Sequence, residues 1–245
     1  MTQIVIAGVS GAIGSALARQ LLEREPGATI LGLCRDPESA RDRLPEKRVK
    51  LIRWDAERSS HEEVGHSLNE VLGRDGELDM VIYAAGLLHD DELFPEKRIE
   101  DLDAGAMTRS FAVNCTGLGT LIRAAVPHLR HRRLKKVVAV SAKVGSIGDN
   151  RFGGWYAYRS SKAALNMLVK NLSVELPRRC RPVSCIAVHP GTTTSALSAP
   201  FQQSLAQLKL HSPEDTARNL MTVIEGVDER SNGSFLNWDG EALPW

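Results

Sequence analysis

The sequence predicts a doubly wound α/β fold, in which a parallel sheet of seven strands carries helices on both faces. Short apolar runs alternate with longer segments of helical periodicity along all 245 residues, as is typical of consecutive β–α–β units. Several of the apolar runs contain almost no polar residue, as expected of strands that helices cover on both sides. No repeat or Gly/Ser-rich linker interrupts the alternation, so we expect a single domain over residues 1–245.

Seven strands and five helices are expected in order along the chain. The strands are predicted at Ile4–Gly8, Thr29–Cys34, Val49–Trp54, Met80–Ala84, Val137–Ser141, Val183–His189 and Ser234–Asn237. The helices are predicted at Gly14–Glu25, Ser60–Leu72, Ala104–Arg130, Trp155–Leu176 and Ser212–Glu225. Ser212 can cap the last helix, and Pro213 suits its first turn. Ligands of such a sheet bind beyond the carboxyl ends of the strands, so functional residues are expected directly after strands.

Composition and charge exclude several classes of protein. Lys and Arg total 31 against 30 Asp and Glu, a net charge of +1, which offers no field that recruits nucleic acid or a membrane surface. No apolar run reaches the ~18 residues of a membrane-spanning helix, and Met1 leads into a strand pattern without a basic leader, so a cytoplasmic protein is expected. The four cysteines lack the spacing of a metal site or a disulfide framework and are expected to be buried, reduced thiols. The partners that remain are small molecules or further copies of the chain.

A glycine-rich turn follows the first strand. Gly8, Gly11 and Gly14 are spaced G-x-x-G-x-x-G where the first helix begins, so backbone N–H groups and the helix dipole can meet a pyrophosphate. A tight strand-to-helix turn that needs small residues would explain the same glycines without a ligand. Their position after the first strand of an α/β pattern favours the dinucleotide. The residues expected to line it are Gly8, Ser10, Gly11, Ala12, Ile13 and Gly14.

The end of the second strand indicates which dinucleotide fits. An acid there would bind a ribose 2′-OH, whereas a base would pair with a 2′-phosphate. Arg35 offers a planar fork for phosphate, and Cys34 stands where an acid would favour NAD(H). NADP(H) is therefore predicted over NAD(H), although Arg35 can also be a solvated loop charge and Asp36 can cap the next turn. Asp55, just after the third strand, is either an acceptor for the adenine amino group or a helix N-cap.

Four polar residues form a candidate catalytic set. Tyr158 and Lys162 stand four residues apart and share a helix face. A nearby ammonium is expected to lower the phenol pKa from its usual ~10, so that Tyr158 can exchange a proton with a carbonyl or alcohol oxygen; a tyrosine packed beside a surface lysine is the alternative. Ser141 ends an apolar strand and can orient a substrate oxygen. Asn114, in an otherwise apolar segment, either holds a water in a proton path or fastens two backbone segments.

Together these motifs resemble the short-chain dehydrogenase/reductase family along essentially the whole chain. The glycine turn resembles the family's glycine motif, and Ala84, Ala85 and Gly86 resemble its N-A-G motif. The family's four catalytic residues are matched, in order, by Asn114, Ser141, Tyr158 and Lys162. A segment that touches the nicotinamide is matched by Pro190, Gly191, Thr192 and Thr194, and the resemblance implies that Thr194 holds the carboxamide. The sequence departs from the pattern at Ala7, where a Thr is usual, and in the 16 residues between Ser141 and Tyr158.

Two segments narrow the resemblance to the branch of C-factor and sniffer-like carbonyl reductases. They are the insert Gly148–Tyr156 and the ending Phe235–Trp245. The resemblance implies a Rossmann fold, NADP(H)-dependent reduction of a ketone or aldehyde to an alcohol or the reverse, and a homodimer or homotetramer. The alternative is a regulatory or signalling protein that binds NADP(H) with little turnover, and the intact Ser, Tyr and Lys set weighs against it.

The substrate pocket is expected to be built from three loops. They are Leu87–Phe94, Asp149–Trp155 and Thr192–Leu210, with a substrate loop at about 192–212. An apolar or aromatic carbonyl compound is suggested by Phe152, Trp155, Leu197 and Phe201, which can equally pack their own loops. Asp90 and Asp91 are expected to be solvated, and His189 to be a hydrogen-bonded histidine at a strand end.

Overall fold

A computed structural model of the protein describes residues 2–44, 47–201 and 210–245. Within those ranges, seven parallel strands form one sheet, and a separate strand pair lies beside it. The strands are β1 (Gln3–Ala7), β2 (Thr29–Cys34), β3 (Val49–Arg53), β4 (Met80–Tyr83), β5 (Lys135–Val140), β6 (Val183–Val188), β7 (Thr192–Thr193), β8 (Leu210–His211) and β9 (Phe235–Leu236). The main sheet has the order β3-β2-β1-β4-β5-β6-β9, and β7 pairs with β8. The predicted doubly wound sheet is confirmed, with strand ends shifted by one or two residues.

The strand order places the ligand crevice between β1 and β4. The chain moves outward from β1 to β2 and β3, then crosses back to β4 on the other side of β1. The loops after β1 and β4 therefore diverge to opposite faces, and ligands of open α/β sheets bind at this switch point. The two loops begin in contact, because the Ala84 amide donates to the Ala7 carbonyl over 2.9 Å.

Helices cover both faces of the sheet. They are α1 (Ala12–Arg24), α2 (Pro37–Arg41), α3 (His61–Leu72), α4 (Ala104–Phe111), α5 (Gly117–Ala125), α6 (Tyr156–Arg179) and α7 (Pro213–Gly226). Alternate strand residues face opposite layers, as period-2 geometry requires. Ile4 and Ile6 pack in the apolar cluster with α1 and α7, whereas Val5 and Ala7 pack in the cluster with α3, α5 and α6.

Two helical segments differ from the prediction. The helix expected over Ala104–Arg130 is interrupted by a π-helical turn at Ala112–Thr116 and ends in a 3-10 turn at Val126–Leu129. α2 was not predicted, because five residues are too few for a helical period to show in the sequence. Asp36 caps α2 by accepting from the Glu38 and Ser39 amides, as expected of this residue. The predicted cap of α7 at Ser212 is also present.

Within the described ranges, no helix is long and apolar enough to span a membrane. No cluster of three or more His, Cys, Asp or Glu side chains has the arrangement of a metal site in this part of the chain. The four cysteines are free thiols, three of them buried and Cys115 partly buried.

Candidate active site

The glycine-rich turn is shaped by close backbone approaches. Gly8 has φ of +81°, and a Cβ on it would lie 2.7 Å from the Ala85 nitrogen. A Cβ on Gly14 would lie 2.2 Å from the Gly8 carbonyl oxygen, whereas one on Gly11 would meet the same oxygen at 3.3 Å. The tight turn therefore accounts for Gly8 and Gly14 by itself. Gly11 is exposed at the N-cap of α1, and the packing of the protein constrains it least.

The amino end of α1 is open to an anion. No described side chain caps this helix, and no acid lies in its first turn. By contrast, α3, α4 and α7 are capped by Ser60, Asp103 and Ser212. Free N–H groups and the positive end of the dipole attract negative charge. The turn thus offers what a pyrophosphate requires.

Asn114 fastens the π turn to the loop after β4. Its Oδ1 accepts from the Leu87 amide at 2.8 Å, and its Nδ2 donates to the Leu87 carbonyl at 2.8 Å and to Ser161 Oγ at 2.9 Å. The sequence left two roles open for Asn114, holding a water or joining two backbone segments. These hydrogen bonds correspond to the second role. A Cβ on Gly86 would lie 3.5 Å from Asn114 Oδ1 and 3.7 Å from Lys162 Nζ, so the motif after β4 adjoins two predicted catalytic residues.

Tyr158 and Lys162 lie one turn apart on α6, as predicted. The Lys162 Nζ is 5.8 Å from the centre of the Tyr158 ring and donates to the Val140 carbonyl at 3.0 Å. Lys162 is almost fully buried, and burial lowers its pKa to about 8, with Cys115 opposing the shift.

The phenol pKa differs from the sequence-based expectation. Burial raises the pKa of Tyr158 to about 12, whereas a nearby ammonium was expected to lower it. The Lys162 ammonium lies over the Tyr158 ring and donates a hydrogen bond to the Val140 carbonyl. Desolvation of the phenolate therefore outweighs the attraction of the cation in this arrangement.

Ser141 follows β5 at the carboxyl edge of the sheet, where the sequence predicted it. Its Oγ donates to Asn166 Oδ1 over 2.6 Å, and both residues are buried. Sequence reasoning missed Asn166. The available signal was its spacing, since Asn166 follows Lys162 by four residues and Tyr158 by eight.

The start of α6 is held by Glu96, which sequence reasoning also missed. The buried Glu96 carboxylate accepts from the Ala157 amide at 3.2 Å, and its backbone carbonyl accepts from the Trp155 amide at 2.6 Å. Trp155 has φ of +50°, and Gly153 and Gly154 before it have φ of +64° and +63°. No local sequence signal links Glu96 to a helix start some sixty residues later.

Aromatic side chains from three loops meet beside Tyr158. The Trp155 ring lies 6.1 Å from Tyr158 and 5.0 Å from Phe201, and the Phe94 ring lies 5.3 Å from Phe201. His89 Nε2 bonds to the carbonyl of Leu197 at 3.1 Å. Phe152 does not join the group, because it is 92% exposed. Residues 202–209 of the predicted substrate loop lie outside the described residues.

The segment after β6 packs against the strand pair and the C-terminal region. A Cβ on Gly191 would lie 3.1 Å from both His211 and Trp238. The Thr194 amide donates to the His211 carbonyl at 2.9 Å, and the Thr194 side chain is exposed.

His189 was expected to be a hydrogen-bonded histidine at a strand end. This expectation is wrong for its Nδ1 atom, which is buried with no partner among the described residues. Burial lowers the His189 pKa to about 4, with Lys143 and His211 adding to the shift.

The residues predicted to select the cofactor differ in their surroundings. Arg35 is exposed at the end of β2 and forms no ion pair with any residue in the described ranges. Cys34 beside it is buried, and burial raises its pKa. Asp55 Oδ1 accepts from the Glu57 amide at 2.9 Å, so Asp55 caps a turn. The alternative of a helix N-cap is wrong, because Ser60 caps α3.

Asp90 is not merely solvated, as the sequence suggested. Its Oδ2 lies 2.7 Å from Arg109 Nη2 on α4, and that contact lowers the Asp90 pKa. Its Oδ1 also accepts from the Leu93 amide at 2.9 Å. The pair ties the loop after β4 to the helix that leads into the π turn.

Comparisons with known proteins agree with this fold. A family model for short chain dehydrogenases matches residues 2–206. The C-signal protein of Myxococcus xanthus is 35% identical over 147 residues, which are 59% of this chain and 82% of that protein. The carbonyl reductase Sniffer of D. melanogaster superimposes with a TM-score of 0.85 at 23% identity over 100% of both chains. An NADPH-bound carbonyl reductase from chicken fatty liver gives a TM-score of 0.86 at 22% identity, covering 100% of this chain and 99% of that one.

Proposed function

The chain belongs to the short-chain dehydrogenase family, and from that premise we propose that it uses NADP(H) to interconvert a ketone or aldehyde and an alcohol. The observation that supports this most is the burial of Lys162 over the ring of Tyr158, at the carboxyl edge of the sheet. A buried cation beside a phenol is costly for stability and suits proton transfer.

The open amino end of α1 fits a dinucleotide pyrophosphate, and Arg35 fits a 2′-phosphate, because its guanidinium has no other anion to pair with in the described structure. When bound, the nicotinamide supplies or accepts a hydride. The other residues proposed to hold the dinucleotide are Gly8, Ser10, Gly11, Ala12, Ile13, Gly14, Asp55, Ala84, Ala85, Gly86, Asn114, Tyr158, Lys162, Pro190, Gly191, Thr192 and Thr194.

Tyr158 is proposed to move the proton. With a pKa of about 12, its hydroxyl keeps its proton at neutral pH until a substrate oxygen becomes basic. The proton then passes from Tyr158 Oη to that oxygen. Lys162, whose pKa of about 8 leaves it mostly protonated at pH 7, stabilises the phenolate that remains.

The first test replaces Tyr158 by Phe. We expect turnover of a panel of ketones and aldehydes with NADPH to fall at least ~100-fold, because the proton donor is lost. NADPH binding, measured by fluorescence titration, should persist. Tyr156→Phe, at the first residue of the same helix, is the matched control and should keep its activity. A fully active Tyr158→Phe enzyme would remove this residue from the mechanism.

The second test replaces Arg35 by Ala. Loss of a charged phosphate contact should weaken NADPH binding roughly 10- to 100-fold and leave NADH binding nearly unchanged. The matched control is Arg74→Ala, at an exposed arginine beyond the far end of α3. Equal losses for NADPH and NADH would refute a role for Arg35 in binding the 2′-phosphate.

A further inference from the structure

Ser141 has a buried partner that the proposed mechanism does not use. Its Oγ donates to Asn166 Oδ1 over 2.6 Å, and the two residues are only 2% and 3% exposed. A hydrogen bond this well shielded from water is not easily exchanged for solvent. Asn166 therefore determines how the Ser141 hydroxyl is oriented.

The direction of this hydrogen bond is fixed by a third residue. Asn166 Nδ2 faces the Gly145 carbonyl oxygen at 3.4 Å. A carbonyl oxygen only accepts, so the amino group of Asn166 must face it, and a rotated amide would set two oxygens against each other. Asn166 Oδ1 consequently faces Ser141. Since that oxygen also only accepts, the Ser141 hydrogen must point to Asn166.

We propose that Asn166 is a positioning residue that engages the Ser141 hydroxyl hydrogen and leaves only the lone pairs of Ser141 Oγ for the reacting centre. This proposal rests on the proposed function. In this arrangement Ser141 accepts a hydrogen bond from a hydroxyl, either that of Tyr158 or that of an alcohol in the site. It does not donate to a carbonyl oxygen unless the bond to Asn166 breaks.

A single helix face carries this arrangement. Tyr158, Lys162 and Asn166 succeed one another at four-residue intervals along α6, so their side chains lie in one row. The Gly145 segment lies directly on that row, because a Cβ on Gly145 would come within 2.7 Å of Lys162 Cβ. The helix thus positions the proton donor, the cation and the partner of Ser141 as one rigid body.

The arrangement favours an alcohol over a ketone at the position of the reacting oxygen. An alcohol can donate to Ser141 Oγ, whereas a ketone has no hydrogen to offer to the exposed lone pairs. Asn166→Leu keeps a similar side-chain size but removes the acceptor, so the Ser141 hydroxyl is free to donate to a ketone. We expect this variant to bind alcohols less tightly relative to the matching ketones.

The first experiment needs no substrate. Melting temperatures are measured for the wild type, Ser141→Ala, Asn166→Leu and the double variant, with Asn171→Leu, at an exposed residue of the same helix, as the control. If the hydrogen bond exists, the loss in the double variant is smaller than the sum of the single losses, because the bond can be lost only once. Additive losses would overturn the proposal.

The second experiment uses whichever ketone of the panel the wild type reduces. We expect Asn166→Leu to lower the affinity for the matching alcohol relative to that for the ketone about 10-fold, the effect of about one hydrogen bond, while the KM for NADPH stays unchanged. Both affinities are measured in non-reacting complexes, the alcohol with NADPH and the ketone with NADP+. Within the Ser141→Ala background the same change should leave this ratio unaltered. A change of the ratio in that background, or a wild-type ratio in Asn166→Leu, would overturn the positioning role. A wild type that reduces no member of the panel, with an intact melting cycle, would instead refute the proposed function.

Discussion

The two halves of the candidate site are built on opposite principles. The turn between Gly8 and Gly14 is made of backbone, and its shape depends on side chains that are absent. The row on α6 is made of polar side chains, and its properties depend on the burial of Lys162 and Asn166. Adding atoms should therefore damage the first half, whereas removing a buried charge from the second should stabilise the fold. Steric exclusion thus determines the first half of the site, and desolvation determines the second.

The largest effect is expected when a methyl group enters the glycine turn. In Gly14→Ala the new Cβ would lie 2.2 Å from the Gly8 carbonyl oxygen, and the backbone must shift to admit it. We expect a loss of about 3 kcal/mol in the free energy of unfolding, seen as a fall of about 6–12 °C in Tm. Gly27→Ala is the control, since nothing lies within 4 Å of its Cβ position. Equal melting of the two variants would contradict the steric account.

A change of opposite sign is expected in the second half of the site. Burial lowers the pKa of Lys162 from 10.5 to about 8, so the unfolded chain binds a proton more readily than the folded one. The wild type therefore loses stability as the pH falls from about 10.5 to about 8. Lys162→Met removes this penalty and the bond to Val140. We expect a net gain of about 2 kcal/mol at pH 7, or about 4–8 °C in Tm.

The pH dependence sharpens this prediction. The advantage of Lys162→Met over the wild type should be constant below about pH 7 and shrink as the pH rises through about 8. Near pH 10.5 it should become a deficit of about 1 kcal/mol, because only the loss of the bond to Val140 then remains. Lys50→Met, at an exposed lysine on β3, should change the free energy of unfolding by less than about 0.5 kcal/mol at any pH. Destabilisation of Lys162→Met at pH 7 would show that the burial of this lysine is not a cost to the fold.

The smallest effect concerns the residue that joins the loop after β4 to α6. Glu96→Ala removes the acceptor of the Ala157 amide, and we expect a loss of about 1 kcal/mol in the free energy of unfolding, or about 2–4 °C in Tm. Glu96→Gln retains an acceptor and should recover most of the loss. If Gln is as damaging as Ala, the charge of Glu96 and not its hydrogen bond holds the helix start.

The sequence predicted the features that depend on local pattern. The seven strands, the cap at Ser212 and the spacing of Tyr158 and Lys162 follow from periodicity and chain order. The π turn at Ala112–Thr116 did not, because one extra residue in a turn leaves the apolar pattern nearly unchanged.

Long-range contacts and burial could not be read from local pattern. Glu96 and Asn166 act across 61 and 25 residues of sequence, so only the fold brings each to its partner. The Tyr158 pKa was predicted with the wrong sign because spacing shows that a lysine is near but not how strongly the surrounding packing desolvates the phenol. The pKa of a group thus depends on the packing around its motif as well as on the motif itself.

The left-handed run ahead of α6 limits how this protein can be recombined with its relatives. Gly153, Gly154 and Trp155 all have positive φ, a conformation that most residues adopt only with strain. Tyr158 follows only three residues later. A backbone mismatch at a chimera junction inside this run would therefore displace the Tyr158 side chain. Loop grafts that aim to exchange substrate specificity should therefore transfer the residues from Gly148 through the first turn of α6 as one continuous segment.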